Sequence, residues 1–312
     1  MYEATLPYPN LDPVLVHIWI FSIRWYAIAY IAGLLLGWWY AVRLLHNTSL
    51  WINPPFKGKA PATAEDIGDL VVWATFGVIL GGRLGWVLFY GTILCGVSPE
   101  GAMCQAPAGG DPLPLGFLTD PLRIVAAWEG GMSFHGGMIG TAIAIWLFCR
   151  RRKLDTLMVG DIVASVAPIG LFFGRIANFV NGELWGKVTT VPWGMVFCSH
   201  YIQVANHGCP AGPLPRHPSQ LYEAALEGLA LFAILQTGIH KFRWQERPGL
   251  TVGVFFLGYG IFRAFVELYR EPDAPFLGPV SMGQALSALM WVAGAYFMYR
   301  ALNAPPQTRT SP

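Results

Sequence analysis

The segment Gly174-Arg175-Ile176-Ala177-Asn178-Phe179-Val180-Asn181-Gly182-Glu183-Leu184-Trp185-Gly186 puts an arginine, two asparagines and a glutamate at the end of an otherwise apolar helix. Helical spacing sets Arg175 and Asn178 on one face. A guanidinium stays charged where water is scarce and grips a phosphate through two parallel N–H groups. Glu183 is placed to neutralise or orient Arg175; the competing reading is a structural ion pair that ties a loop to the bundle. A second set, Tyr259, Arg263, Glu267 and Arg270, is spaced by four, four and three and so lines one helical stripe. A buried arginine–glutamate–arginine ladder is weak evidence for stability, because desolvation offsets its attraction, and this favours a polar cavity. The third feature is His135, with glycines on both sides in Glu129-Gly130-Gly131-Met132-Ser133-Phe134-His135-Gly136-Gly137. Glycine lets a ligand approach the backbone closely, and histidine is the usual proton acceptor near neutral pH. The plainer alternative is an interfacial histidine bonded to a neighbour. Guanidinium groups to hold an anionic headgroup, with an imidazole to take a proton, suit a phospholipid reaction.

The elements that carry these groups are membrane spans. The chain of 312 residues is 54% hydrophobic and only 12% charged, with 13 tryptophans and a mean hydropathy of +0.46. A net charge of +2 gives no basis for nucleic-acid binding. Runs of about 20 apolar residues cross a bilayer as helices. Seven are expected, over residues 17–41, 68–93, 134–149, 157–176, 219–240, 250–270 and 281–299. They make one all-α polytopic membrane domain over 1–312, with extramembrane segments at 94–133 and 177–218. With the N-terminus outside and the C-terminus inside, the inner loops hold twelve Lys/Arg and the outer segments only Arg123, Lys187 and Arg216. That bias sets the orientation. Arg24, Arg175, Arg263 and Arg270 then fall toward the outer ends of spans, with Arg83 deeper. Charges in such places face a bundle interior or an aqueous cavity.

Within the outer segments, Thr189-Thr190-Val191 and Trp193–Phe197 read as two short strands able to pair. Ser219 reads as a helix cap, His217 and Tyr222 as interfacial residues with a possible site role for His217, and Tyr26 as an aromatic-belt residue. Asp161 reads as a charge at a helix N-terminus. Pro168 is expected to kink its span. Pairs such as Gly33/Gly37, Gly77/Gly81/Gly85, Gly136/Gly140 and Gly170/Gly174 have the spacing of close helix contacts. Four cysteines, Cys95, Cys104, Cys198 and Cys209, lie outside, and Cys149 lies at an inner end. Two disulfides, most simply 95–104 and 198–209 among three possible pairings, or four free thiols both fit.

These segments together resemble the prolipoprotein diacylglyceryl transferase family. The likeness runs from about Trp25 to Pro275. It rests on Gly174–Gly186, His135-Gly136-Gly137, His217-Pro218-Ser219-Gln220-Leu221-Tyr222-Glu223, Arg263-x-x-x-Glu267-x-x-Arg270 and Arg83 in Gly82-Arg83-Leu84-Gly85. Ala27, Ala177 and Phe197-Cys198 depart from the usual pattern, and the loop 94–121 is long. The resemblance implies seven spans and a periplasmic head in the bacterial inner membrane, with the active site toward the periplasm. It implies transfer of the diacylglyceryl group of phosphatidylglycerol to the lipobox cysteine in a prolipoprotein signal peptide, forming a thioether and releasing glycerol phosphate. His135, Arg175 and Arg263 become the catalytic positions. Arg175, Tyr26, Asn178, Asn181, Glu183, Glu267, Arg270 and Arg83 become substrate-binding ones. A monomer without metal or cofactor is expected. Another phospholipid-headgroup transferase is the nearest alternative. A transporter of an anionic solute fits less well, because the charges gather at one side rather than along a path through the bilayer.

Overall fold

The computed structural model describes residues 6–19, 21–97, 104, 113, 115–126, 131–271, 275–277 and 280–304. Each expected span contains a long helix. In chain order the long helices are α1 (Trp25–His46), α2 (Ala64–Gly85), α3 (Phe134–Arg152), α4 (Thr156–Asn181), α5 (residues 219–242), α6 (Leu250–Glu267) and α7 (Met282–Asn303). Among the described residues, Trp25–His46, Ala64–Ile93, Thr156–Asn181 and Leu250–Glu267 are long and apolar enough to cross a bilayer. The chain divides into two compact units, Ala62–Thr156 and the combination of Met1–Pro61 with Leu157–Pro312.

The first span is shorter at its start than expected. Residues 17–18 and 21–24 belong to a hairpin of β1 (Val14–Ile18) and β2 (Phe21–Arg24), paired antiparallel with His17 opposite Ser22. The helix starts only at Trp25. Val14-Leu15-Val16-His17-Ile18 is rich in β-branched residues, which favour a pleated strand, and a short apolar run does not distinguish strand from helix by periodicity.

The unit Ala62–Thr156 is a helix pair. Thr63 and Asp66 form a reciprocal cap at the start of α2, with bonds of 3.1 and 2.9 Å, which satisfies two otherwise orphaned N–H groups. After Gly85 the helix winds on as a π-helical stretch, Trp86–Leu94. The expected glycine seam is present between α2 and α3. A Cβ on Gly81 would stand 2.3 Å from the Gly136 carbonyl oxygen, and one on Gly77 would stand 2.7 Å from that of Gly140. Backbones this close need glycine on both sides. Gly136 therefore has a packing reason of its own beside His135. Cys95 pairs with Cys104 against Val87, Leu113 and Phe117.

In the other unit α4 is the hub. Gly33 of α1 packs on Gly170, where an added Cβ would lie 3.1 Å from the Gly170 Cα. Gly228 of α5 packs on Phe172, where the corresponding distance to the Phe172 Cβ is 2.7 Å. Gln236 of α5 donates to the Ser165 carbonyl at 2.8 Å. Asp161 does act at a helix N-terminus, but at that of α6 rather than its own: its carboxylate accepts from Gly249 N at 2.7 Å and Val252 N at 2.8 Å. The α4 helix runs unbroken through Pro168 to Asn181, so 177–181 belong to the helix and not to the head.

The head beyond it packs Tyr8, Phe197, Ile202 and Ala211 together, and Cys198 pairs with Cys209. The runs 189–191 and 193–197 do not pair with each other. Val188 and Met195 each bridge to Arg216 instead. Arg216 is an attractive hub because its side chain also bonds Ala211 O at 2.7 Å and Glu271 at 2.8 Å.

Candidate active site

The end of α4 is shaped by its glycines. Gly182 has φ +65°, a left-handed turn that a residue with a Cβ adopts only at a cost. It closes the helix by donating to Phe179 O at 3.0 Å, and Glu183 N follows to Asn178 O at 3.1 Å. Gly186 lies where three segments converge. A Cβ there would sit 2.6 Å from both His217 Cβ and the Tyr269 carbonyl oxygen. Gly186 N donates to His217 O at 2.9 Å, and Lys187 N donates to Tyr269 O at 2.8 Å. These bonds bring the ends of α4, α5 and α6 together, and with them three arginines.

The arginines converge on Glu223. Arg175 Nε lies 3.2 Å from Glu223 Oε2, and Arg270 Nη1 lies 3.1 Å from Oε1. Arg263 Nη1 bonds the same Oε1. Two more carboxylates complete the set: Glu227 Oε2 is 3.3 Å from Arg175 Nη2, and Glu267 Oε2 is 2.9 Å from Arg263 Nη2. Three guanidinium groups thus face three carboxylates. Glu223 and Glu227 are fully buried, while the side chains of Arg175 and Arg263 keep 16% and 13% exposure. The cluster is closed at its carboxylates and at Arg270, and keeps exposure only at Arg175 and Arg263. Arg175 uses its Nε and Nη2 edge on carboxylates, and its Nη1 has no hydrogen-bond partner among the described residues.

Glu223 and Glu227 are the residues that reading the sequence for cations passed over. Their signal was present: two carboxylates four apart in an apolar span share a helix face and call for a functional reading. Ser219 does not cap α5; its hydroxyl donates to Leu184 O at 2.9 Å. Nor is Glu183 the counter-ion of Arg175. Its Oε1 accepts from Asn178 at 2.9 Å and Asn181 at 3.5 Å, so these three polar residues form a second, adjoining set. Tyr26, in the first turn of α1, interacts with Asn178 and Glu183 and accepts from the Tyr30 hydroxyl at 3.3 Å.

Two expected residues belong to the unit Ala62–Thr156 and not to the unit that holds this cluster. Arg83, in the unit Ala62–Thr156, donates to the carbonyls of Ile124 at 3.0 Å and Gly131 at 3.2 Å, bonds Arg123 O, and lies over the Trp86 ring. These contacts pin the loop before α3. His135 is in the first turn of α3 in the same unit, and its side chain lies outside the described residues.

Beside the cluster, the Tyr222 hydroxyl takes a bond from Trp193 Nε1 at 2.6 Å and meets His217 Nδ1 at 3.1 Å. Burial holds the His217 imidazole below its ordinary value. In the head, burial lifts the Tyr8 hydroxyl to about 12, so it stays a donor to Phe179 O at 2.6 Å.

Apolar helices long enough to cross a bilayer, two of which join α5 in bringing a charge-balanced, buried ionic cluster together, are those of a polytopic membrane protein with a polar site among its helices. The family model described as prolipoprotein diacylglyceryl transferase matches residues 13–300, and the chain belongs to that family. It is similar to the phosphatidylglycerol–prolipoprotein diacylglyceryl transferase of Caulobacter sp. (strain K31), with 49% identity over 309 residues, covering 96% of this chain and 95% of that one. The protein of the same name from Rhodospirillum rubrum is 49% identical over 306 residues, covering 96% of each chain. That from Caulobacter vibrioides is 48% identical over 312 residues, again covering 96% of each. The protein is therefore a membrane transferase of lipoprotein biosynthesis, as its four motifs led us to expect.

Proposed function

We propose that the Arg175–Arg263–Glu223 cluster is where this protein transfers the diacylglyceryl group of phosphatidylglycerol to the cysteine of a prolipoprotein. The observation that carries this reading is Nη1 of Arg175, without a hydrogen-bond partner among the described residues, on a guanidinium whose other edge is held by Glu223 and Glu227. The attacking group belongs to the substrate protein. Its sulfur forms a bond to the glycerol carbon that carries the phosphate, the C–O bond breaks, and the electron pair leaves on the phosphate oxygen. The product is a thioether and a glycerol phosphate whose negative charge has grown. Arg175 and Arg263 stabilise that charge, in a place where water competes little.

A free thiol has a pKa near ~8.5 and reacts as the thiolate, so a proton acceptor is needed. His135 fills that role, directly or through a water. Asn178, Asn181, Glu183 and Tyr26 line the approach, and Glu267 and Arg270 hold Arg263 and Glu223 in register. Arg83 supports the loop that precedes His135. The twelve-to-three distribution of basic residues supports seven passes with the N-terminus outside. The site then opens to the outer, periplasmic side, and one copy of the chain is sufficient.

The test is incubation of the purified protein with phosphatidylglycerol vesicles and a lipobox peptide. A diacylglyceryl mass gain on the peptide cysteine is expected. Its absence with phosphatidylglycerol, or an equal gain with phosphatidylethanolamine, overturns the reading.

A further inference from the structure

Glu227 is a fully buried carboxylate that the reaction as derived above does not use. It lies in α5 within a π-helical stretch, Ala224–Ala230, a distortion found frequently at functional sites. One oxygen, Oε2, accepts from Arg175 Nη2 at 3.3 Å. The other, Oε1, has no hydrogen-bond partner among the described residues. A buried carboxylate oxygen left bare is costly, so the position is poorly explained by stability alone.

Its neighbours show what it accomplishes. Glu223 is shared among three arginines, so it does not by itself fix the rotation of any one of them. Glu227 meets Arg175 at Nη2, one atom pair further along the same guanidinium edge that Glu223 meets at Nε. Two carboxylates on one edge of a planar fork determine its plane. The residue that follows, Gly228, brings α5 close enough for this reach: a Cβ there would stand 2.7 Å from Phe172 Cβ, one turn before Arg175.

We propose that Glu227 is a positioning residue for Arg175, which sets the plane of the guanidinium so that Nη1 points at the phosphate of the lipid substrate. The assignment rests on the reading of the reaction given above. Its requirement is reach rather than charge: an acceptor atom must stand beside Nη2. Misplacing a reacting group by about 1 Å costs on the order of 100-fold in rate, while simple attraction between the lipid and Arg175 survives.

Two substitutions separate reach from charge. Glu227→Gln keeps the length of the side chain and an amide oxygen able to accept from Nη2, but removes the charge. Glu227→Asp keeps the charge and withdraws the carboxylate by one methylene. Both are measured in detergent–phosphatidylglycerol mixed micelles with a lipobox peptide, with kcat and the KM for lipid determined separately. E227Q is expected to keep most of its turnover. E227D is expected to lose on the order of 100-fold in kcat with little change in KM. Equal turnover in the two variants, or higher turnover in E227D, overturns the assignment. A wild-type protein without transfer removes the reaction itself; wild-type transfer with E227Q no better than E227D removes only the role of Glu227.

Discussion

Nε of Arg175 lies 3.2 Å from Oε2 of Glu223, a carboxylate with no exposed surface. Because Arg263 and Arg270 share the other oxygen of Glu223, this one side chain joins α4, α5 and the end of α6. Its desolvation is tolerable only because all three partners are present. The arrangement is a rigid cationic surface held from behind, and a growing phosphate charge can meet it without further reorganisation.

Glu223→Ala removes the shared partner and leaves three guanidinium groups opposite two carboxylates. Breaking a buried ionic cluster from one side costs about 3–5 kcal/mol. We expect a clear drop in thermal stability in detergent together with loss of transfer. A variant that melts with wild type would show that Glu223 does not hold the cluster together.

The glycines of this unit differ in what surrounds them. An alanine at Gly228 would put its Cβ 3.0 Å from the Cα of Phe172, whereas one at Gly174 meets nothing within 4 Å. Overpacking a tight contact costs about 1–3 kcal/mol, while glycine to alanine in an open helical position gains up to about 1 kcal/mol. Gly228→Ala should therefore melt below wild type and Gly174→Ala at or above it. The reverse order would contradict the α4–α5 contact.

His217 gives the head a pH dependence. Burial lowers its folded value below that of the unfolded chain. In the folded protein its ring packs against Tyr222 and Tyr269 and resists protonation. The stability it contributes is fully present above the ordinary histidine value of about 6.5 and is lost as pH falls through the depressed folded value. Melting curves from pH 8 to pH 5 should fall more steeply for wild type than for His217→Gln. Parallel curves would exclude the effect.

How much of this was legible in the sequence varied with the physics. Seven apolar runs mark the helices, and glycine spacing marks the α2–α3 seam, because both signals are local. The start of the first span, from residue 17 to Arg24, was read as helix because a short apolar run has no period long enough to separate strand from helix. Arg175, Arg263 and Arg270 were legible as charges in an apolar setting. Their counter-ions were not all legible: Glu183 is nearest in sequence, yet Glu223 and Glu227 face Arg175 from another helix. Asp161 shows the same limit, since the N-terminus it serves begins 88 residues later. Partners across a bundle depend on helix rotation, which no single segment encodes.

The central claim is that Arg175 meets the lipid phosphate through its planar fork, and the transfer rate of Arg175→Lys in phosphatidylglycerol proteoliposomes tests it most directly. Lysine keeps the charge but replaces the fork with a point donor, and losing a preorganised transition-state donor costs on the order of 100-fold or more. We expect a loss of that size in diacylglyceryl transfer with the folded protein retained. Transfer near the wild-type rate would contradict the account.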